Sequence, residues 1–239
     1  MRAEKTLEQR VRDSDFVRNA RVYDVSLSLF NLILNLMHYK VTVEGADKIK
    51  EYTNSSYLLA FKHQSVADFP VLAAALRNNK NHPWILVKKE VYAEYPRIFS
   101  WWFSHMGAIP VDRPRSGDSL DTSLIDATAN YVKNSLENGK AFAFAPEATR
   151  MPGTMGKCYP LFFRIALELS EQGINVPIIT AGIEYKYPMK PYLPGGSAIV
   201  RFNVVFPSDY KESTILRNIS RLTRDVKGIL ARDSGILKY

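Results

Sequence analysis

The sequence contains 239 residues, of which 46% are hydrophobic and 23% are charged, a balance typical of one large globular domain. Its formal net charge of +8 favours anionic partners, either nucleic acid or an anionic membrane surface with its lipids. The single cysteine, Cys158, excludes a disulfide framework within the chain and fits a reducing cytosolic environment. The sequence also lacks a cluster of Cys and His residues with metal-ligand spacing.

Residues 1–39 are predicted to form an N-terminal helical segment. Residues 1–21 carry charges of both signs, whereas residues 22–39 are largely apolar and too short and interrupted to predict a membrane-spanning helix. A narrow polar stripe recurs along 22–39 at helical spacing, formed by Asp24, Ser28, Asn31, Asn35 and His38. Two interpretations remain open. The helix is either buried in the core, or it lies in one membrane leaflet with its stripe facing water or protein.

The remaining segment, 40–239, alternates short β-rich runs with helical runs. Strands are predicted at 40–45, 57–61, 84–88, 108–112, 140–145, 176–183 and 198–206. Helices are predicted at 69–79, 92–105, 119–138, 159–172 and 213–231. Several strands are nearly continuous apolar runs, as in sheets that helices cover on both faces. This order predicts a single α/β domain with a mostly parallel or mixed sheet.

The stretch "LLAFKHQSVADFPVL" (58–72) places a histidine and an aspartate between a predicted strand and a predicted helix. On a straight helix the side chains of His63 and Asp68 would point about 140° apart, so a turn is needed to bring them together. Such a turn would let the Asp68 carboxylate fix the imidazole tautomer, leaving the other ring nitrogen able to take a proton. The alternative is a helix-capping Asp68 beside a surface histidine.

Three further segments bring charged side chains to predicted strand ends. "FAFAPEATRMPG" (142–153) contains Glu147, Thr149 and Arg150, and Arg150 could bind a phosphate with its guanidinium fork. Glu147 could accept from a substrate hydroxyl or orient Arg150, and the alternative is an ion pair that braces the loop. Lys88 and Arg113 end two other predicted strands and, taken singly, are better explained as ordinary solvated charges.

Taken together, these segments resemble the four motif blocks of the glycerolipid acyltransferases. The chain is similar to 1-acylglycerol-3-phosphate acyltransferases over about residues 40–210. The blocks appear in the family's order and approximate spacing at His63–Asp68, Gly107–Arg113, Pro146–Arg150 and Val176–Pro177.

The resemblance implies a role for each block. His63 would be the general base and Asp68 its orienting partner, while Glu147, Thr149 and Arg150 belong to the block associated with the glycerol phosphate. Lys88 and Arg113 would add phosphate contacts. The family also implies an acyl thioester co-substrate (acyl-CoA or acyl carrier protein), no cofactor, and a lysophospholipid acceptor. It further implies peripheral or monotopic attachment to the anionic cytoplasmic face of the cell membrane. No nucleic-acid partner is expected, because the positive charges are dispersed and no recognition motif appears.

Two positions depart from the family pattern. Lys62 stands where Asn is common, which adds a charge beside the proposed base, and Ala148 stands where Gly is usual. Ala replaces Gly without strain only where the backbone needs no positive φ. Three alternatives to acyl transfer onto lysophosphatidic acid stay open: another lysophospholipid acceptor, a thioesterase or lipase that uses water, and a non-catalytic module that binds anionic surfaces.

Overall fold

The seven strands of the described chain form one mixed sheet. The computed structural model describes residues 5–16, 18–52, 54–77, 82–93, 96–112, 121–186, 195–211 and 214–236. In chain order the strands are β1 (Lys40–Glu44), β2 (Leu58–Phe61), β3 (Trp84–Lys88), β4 (Ala108–Val111), β5 (Phe142–Phe144), β6 (Ile178–Tyr185) and β7 (Ser197–Val205). Their order across the sheet is β1-β7-β6-β2-β5-β3-β4.

Strand direction decides which loops meet. β6, β2, β5, β3 and β4 are all parallel, while β7 runs antiparallel to β6 and carries β1 parallel to itself at the other side of the sheet. The carboxyl ends of the five parallel strands therefore lie along one edge, which we call the carboxyl edge. In α/β folds ligands bind outside this edge.

Helices cover both faces of the sheet. The helices are α1 (Leu7–Arg12), α2 (Ala20–Leu36), α3 (Ala46–Lys50), α4 (Asp68–Ala75), α5 (Glu90–Ala93), α6 (Arg97–His105), α7 (Thr122–Glu137), α8 (Leu161–Glu171) and α9 (Ile215–Asp233), with a 3₁₀ turn at Pro207–Tyr210. One apolar cluster joins α1, α7, α8 and α9 to the sheet, and a second joins α2, α3 and α4 to it. The core thus has two layers, one on each side of the strands.

The predicted fold class is confirmed, and each of the seven predicted strands is present within a few residues of its predicted bounds. β2, β5 and β6 are buried along almost their whole length, which explains why they read as continuous apolar runs. Two short helical turns were not predicted, α3 and the 3₁₀ turn, because a single turn is too short to show a helical period.

Two predicted helices are interrupted. The predicted helix at 1–21 is wrong between α1 and α2: α1 ends at Arg12, Ser14 takes a positive φ of 55°, and α2 begins only after the Asn19 side chain caps it. The predicted helix at 92–105 is two helices, because Pro96 holds extended backbone just before α6. Residues 94–95 between them lie outside the described residues.

The helix α2 is not a buried core helix. It buries Tyr23, Ser26 and Leu34 against the protein, but five large apolar side chains remain exposed on it: Val25, Leu29, Leu32, Ile33 and Leu36. No helix in the described part of the chain combines the length and apolar character needed to cross a bilayer. The exposed apolar side of α2 therefore excludes the interpretation that this helix is buried in the core. The interpretation that it lies in one membrane leaflet stays a prediction.

Gly182 in β6 offers a test of the packing between the sheet and α9. A β-carbon at Gly182 would lie 2.6 Å from the backbone carbonyl carbon of Asp233, so we expect Gly182→Ala to lower the free energy of unfolding by about 3 kcal/mol. Gly228→Ala is the matched control, because nothing lies within 4 Å of its β-carbon and the position is helical. We expect it to stabilise the protein by about 0.5–1 kcal/mol. Urea unfolding of both variants measures this difference, and equal midpoints would contradict the close approach.

Candidate active site

His63 and Asp68 meet at the carboxyl edge of the sheet. His63 follows the end of β2 by two residues, and Asp68 is the first residue of α4. The chain turns between them, so that His63 Nδ1 lies 2.7 Å from Asp68 Oδ2. The turn predicted from the five-residue spacing therefore exists, and the two side chains form one unit.

The Asp68 carboxylate is the anchor of this turn. It is fully buried, yet Oδ2 accepts backbone N–H bonds from Gln64 (2.7 Å) and Ser65 (2.9 Å) in addition to the imidazole. Oδ1 accepts from the hydroxyl of Tyr185, at the end of β6. A buried carboxylate is costly unless such donors surround it, and here both oxygens are bound. The negative charge also contributes to raising the pKa of Tyr39 to about 12, although burial of that phenol contributes more.

The imidazole of His63 is held in one tautomer with one nitrogen available. A carboxylate only accepts hydrogen bonds, so Nδ1 carries the proton in the bond to Asp68. The ring packs against the edges of Phe61 and Phe69, and 19% of the side chain is exposed. In the neutral ring, Nε2 then keeps its lone pair. This arrangement can accept a proton from a bound hydroxyl.

The loop after β5 runs beside His63. The N–H of Met151 donates to the carbonyl of His63 at 2.9 Å, so Arg150, the preceding residue, lies next to the histidine along this loop. Thr149 and Arg150 are both exposed. These two predicted substrate-binding residues therefore stand at the same edge as His63 and are open to solvent.

Glu147 occupies a different environment. Its carboxylate is buried and binds Lys62 Nζ at 2.7 Å and the N–H of Gly156 at 2.5 Å. Glu147 forms its ion pair with Lys62 rather than with Arg150. The predicted pairing in which Glu147 orients Arg150 is therefore not observed. The positive charge of Lys62 consequently points away from solvent instead of standing free beside the imidazole.

Ala148 adopts a backbone conformation that favours glycine. Its φ is 53°, in the left-handed region where a β-carbon costs about 1–2 kcal/mol. Ala was expected to replace Gly without strain only if the backbone needed no positive φ here, and this condition is not met. The loop keeps its turn despite the methyl group, and the strain lies one residue from Glu147 and Thr149.

Lys88 lies at the same carboxyl edge, at the end of β3. Lys88 is the half-buried last residue of β3, opposite Val111 in β4. After β4, Asp112 binds Lys89 Nζ at 2.8 Å and the N–H of Asp121 at 2.7 Å. Arg113 itself lies outside the described residues.

Cys158 is not an activated nucleophile, and the cavity beside α7 is separate from the His63 cluster. Burial raises the pKa of the Cys158 thiol to about 11, so it carries little thiolate at neutral pH. A cavity of about 680 Å³ lies between α1 and α7 and shares no lining residue with the His63 cluster. The predicted site residues that the structure describes are instead at the carboxyl edge.

Comparison with known proteins identifies the family. A family model described as Acyltransferase matches residues 40–184, more than half of the chain and the whole region from β1 to Glu184. The chain belongs to the acyltransferase family. The family predicted from the four motif blocks is thereby confirmed.

The fold of this acyltransferase is also similar to a solved structure. That structure is the 1-acyl-sn-glycerophosphate (LPA) acyltransferase PlsC from Thermotoga maritima, with a TM-score of 0.58 and 17% sequence identity. The match covers 95% of this chain and 88% of that chain. No curated protein sequence matches this acyltransferase.

Sequence reasoning missed two residues of the site. Tyr185 lies beyond the predicted end of the sixth strand, and its link to Asp68 joins residues 117 positions apart. A phenol at the carboxyl end of a buried strand was the available signal. Lys62 was noticed only as a departure from the family pattern, because nothing in the sequence pairs it with Glu147.

Tyr185→Phe tests how much the phenol contributes to holding Asp68. The substitution removes one donor from a buried carboxylate, so we expect a loss of about 1.5–3 kcal/mol in the free energy of unfolding. Tyr210→Phe is the matched control, because Tyr210 donates to Asp225, which is only partly buried. We expect a loss below about 1 kcal/mol there. Thermal or urea unfolding compares them, and equal losses would contradict the role of Tyr185.

Proposed function

We propose that this acyltransferase moves a fatty acyl group from an acyl thioester to the free hydroxyl of lysophosphatidic acid, giving phosphatidic acid. The observation that carries the proposal is the 2.7 Å bond between His63 and Asp68 at the carboxyl edge, beside the exposed Arg150 loop. The family supports acyl transfer. The acceptor is inferred from the neighbouring cations and from the activity printed for the solved PlsC structure.

In the proposed reaction His63 acts as general base. Nε2 takes the proton of the acceptor hydroxyl while its oxygen attacks the thioester carbonyl, and Asp68 stabilises the imidazolium through Nδ1–H. Collapse of the tetrahedral intermediate breaks the C–S bond, and the proton passes from the imidazolium to the departing thiolate. The products are the new ester and a free thiol, so atoms and charge balance without a covalent enzyme intermediate.

Binding energy for the acceptor would come from its phosphate. Arg150 offers a planar fork for bidentate contact with a phosphate, and Thr149 adds a hydroxyl donor. Lys88, at the end of β3, and Arg113 are proposed as further phosphate contacts. Such contacts, remote from the reacting hydroxyl, orient it toward Nε2 and so accelerate the reaction through proximity.

Access to a lipid acceptor would come from an apolar surface formed by α2 and α6. The two helices touch through Trp102, whose indole N–H donates to Ser26 Oγ at 2.8 Å and whose ring packs on Phe30. On a helical wheel, Ser26 and Phe30 lie next to the apolar side of α2, and Trp102 lies on the same side of α6 as its apolar residues. The exposed members are Val25, Leu29, Leu32, Ile33 and Leu36 on α2 and Ile98, Phe99 and Trp101 on α6.

We propose that this α2–α6 surface lies in one leaflet of an anionic membrane. Val66, exposed between His63 and Asp68, adds an apolar side chain at the site itself. Eight exposed large apolar side chains on two touching helices are unusual on a protein that stays in water, and the net charge of +8 suits anionic headgroups. A site beside such a surface could receive a lysolipid without releasing it to water.

His63→Ala tests the proposed base. We expect acyl transfer to fall by about 10²–10⁴-fold, because general-base catalysis contributes that much, while folding and vesicle binding are retained. Purified protein is mixed with labelled acyl-CoA or acyl carrier protein and a panel of lysolipids, and products are identified by mass. His82→Gln is the matched control, because His82 lies at the opposite edge of the sheet, where it precedes β3.

Two results would contradict the proposal. Turnover by His63→Ala within a few-fold of the unsubstituted protein would exclude His63 as the base. Rapid thiol release by the unsubstituted protein without any lysolipid would instead favour a hydrolase, since water would then be the acyl acceptor.

Polar substitutions on α2 test the membrane surface. We expect Leu29→Gln with Leu32→Gln to weaken binding to phosphatidylglycerol vesicles by at least about tenfold. Each buried leucine contributes about 1.5–3 kcal/mol, and tenfold corresponds to about 1.4 kcal/mol. Leu216→Gln is the control, since this leucine is 73% exposed but lies on α9. Co-sedimentation equal to that of the control would exclude α2 from the membrane contact.

A further inference from the structure

We propose that Lys62 and Glu147 are positioning residues that hold the His63 backbone against the loop carrying Arg150. Lys62 is the residue after β2, and Glu147 lies three residues after β5. Since β2 and β5 are adjacent and parallel, their ends meet at the carboxyl edge. The pair therefore joins two motif blocks that are 85 residues apart in the sequence.

The ammonium group of Lys62 is fully enclosed and its three N–H bonds each face an acceptor. Nζ lies 2.7 Å from Glu147 Oε2, 2.6 Å from the carbonyl of Met151 and 3.5 Å from the carbonyl of His63. The side chain has no exposed surface. A lysine in this state cannot reach a substrate, but it can fix the two backbone segments whose carbonyls it binds.

Glu147 is equally enclosed, with 1% of its side chain exposed. Its second oxygen accepts a hydrogen bond from the N–H of Gly156 at 2.5 Å. This bond connects Glu147 to the far end of the same loop. A β-carbon at Gly156 would lie 3.2 Å from that oxygen, so a glycine suits this close approach. Both oxygens thus bind the protein, and because the carboxylate is enclosed, a direct contact with the acceptor would require the loop to open.

Met151 connects the Lys62–Glu147 pair to the backbone of His63. Its carbonyl accepts from Lys62, and its N–H donates to the carbonyl of His63 at 2.9 Å. Loss of either charge would leave its partner buried without compensation, and the loop would shift to bring in water. A displacement of about 1 Å at the base can cost about 100-fold in rate, so we expect the effect mainly on kcat.

The kinetic test rests on the proposed function and uses four proteins, the unsubstituted chain, Lys62→Met, Glu147→Gln and the double variant. We expect each single variant to lower kcat by about 100-fold. We expect KM for lysophosphatidic acid to change by much less than kcat, since Arg150 keeps its side chain although its loop shifts. We expect the double variant to recover at least tenfold over the poorer single variant, because it leaves no unpaired buried charge. Assays are run well below each unfolding midpoint.

Arg164→Gln and Glu168→Gln provide the matched control pair. Arg164 and Glu168 also form a 2.6 Å ion pair, but it is a solvent-exposed pair on α8, and we expect no change in kcat. A rise in KM with Glu147→Gln, together with unchanged kinetics of Lys62→Met, would overturn the proposal by showing a direct contact with the acceptor. If Lys62→Met does not fold, the isosteric Glu147→Gln alone tests the proposal. A fall mainly in kcat supports the positioning role, and a rise mainly in KM overturns it.

A second readout needs no turnover. The Nδ1 proton of His63, held against Asp68, is followed by proton NMR in the unsubstituted protein and in the variants. We expect its resonance to broaden or shift in both single variants and to return in the double variant. An unaltered resonance in both single variants would overturn the positioning role. Absence of acyl transfer by the unsubstituted protein would instead count against the proposed function, so the two failures are distinguishable.

Discussion

The buried carboxylate of Asp68 is the interaction on which the site depends. Asp68 has no exposed surface, and its two oxygens accept from the imidazole, from two backbone N–H groups of the turn and from Tyr185. An ionised carboxylate in such a place is stable only while these donors stay in position. The charge therefore organises the turn after β2, the start of α4 and the end of β6 around one point.

Next to Asp68, a buried ion pair connects the end of β2 to the end of β5. Lys62 and Glu147 connect the ends of β2 and β5, and Met151 extends the connection to the His63 carbonyl. The exposed groups, Thr149 and Arg150, project from a loop whose own base is fully enclosed. This division suits an enzyme of the acyltransferase family, because rigid buried contacts can hold a reacting group while exposed ones meet the substrate.

Backbone strain and exposed apolar side chains each carry a cost in this protein. Ala148 keeps a left-handed conformation at a cost of about 1–2 kcal/mol, and it lies between the enclosed Glu147 and the exposed Thr149. The α2–α6 surface and Val66 leave apolar side chains in water. Each feature lowers stability in isolation, and sites of function are where such costs are commonly retained.

The sequence by itself determined the strands, the fold class and the residue types of the site. Buried parallel strands read as apolar runs, and the motif order placed His63, Asp68 and Arg150 at strand ends. Only the tertiary structure decided the partners of Lys62, Glu147 and Tyr185, and the exposed side of α2. The physical reason is that strand order and helix packing create contacts between residues 85 to 117 positions apart, whereas local periodicity reports only which elements form.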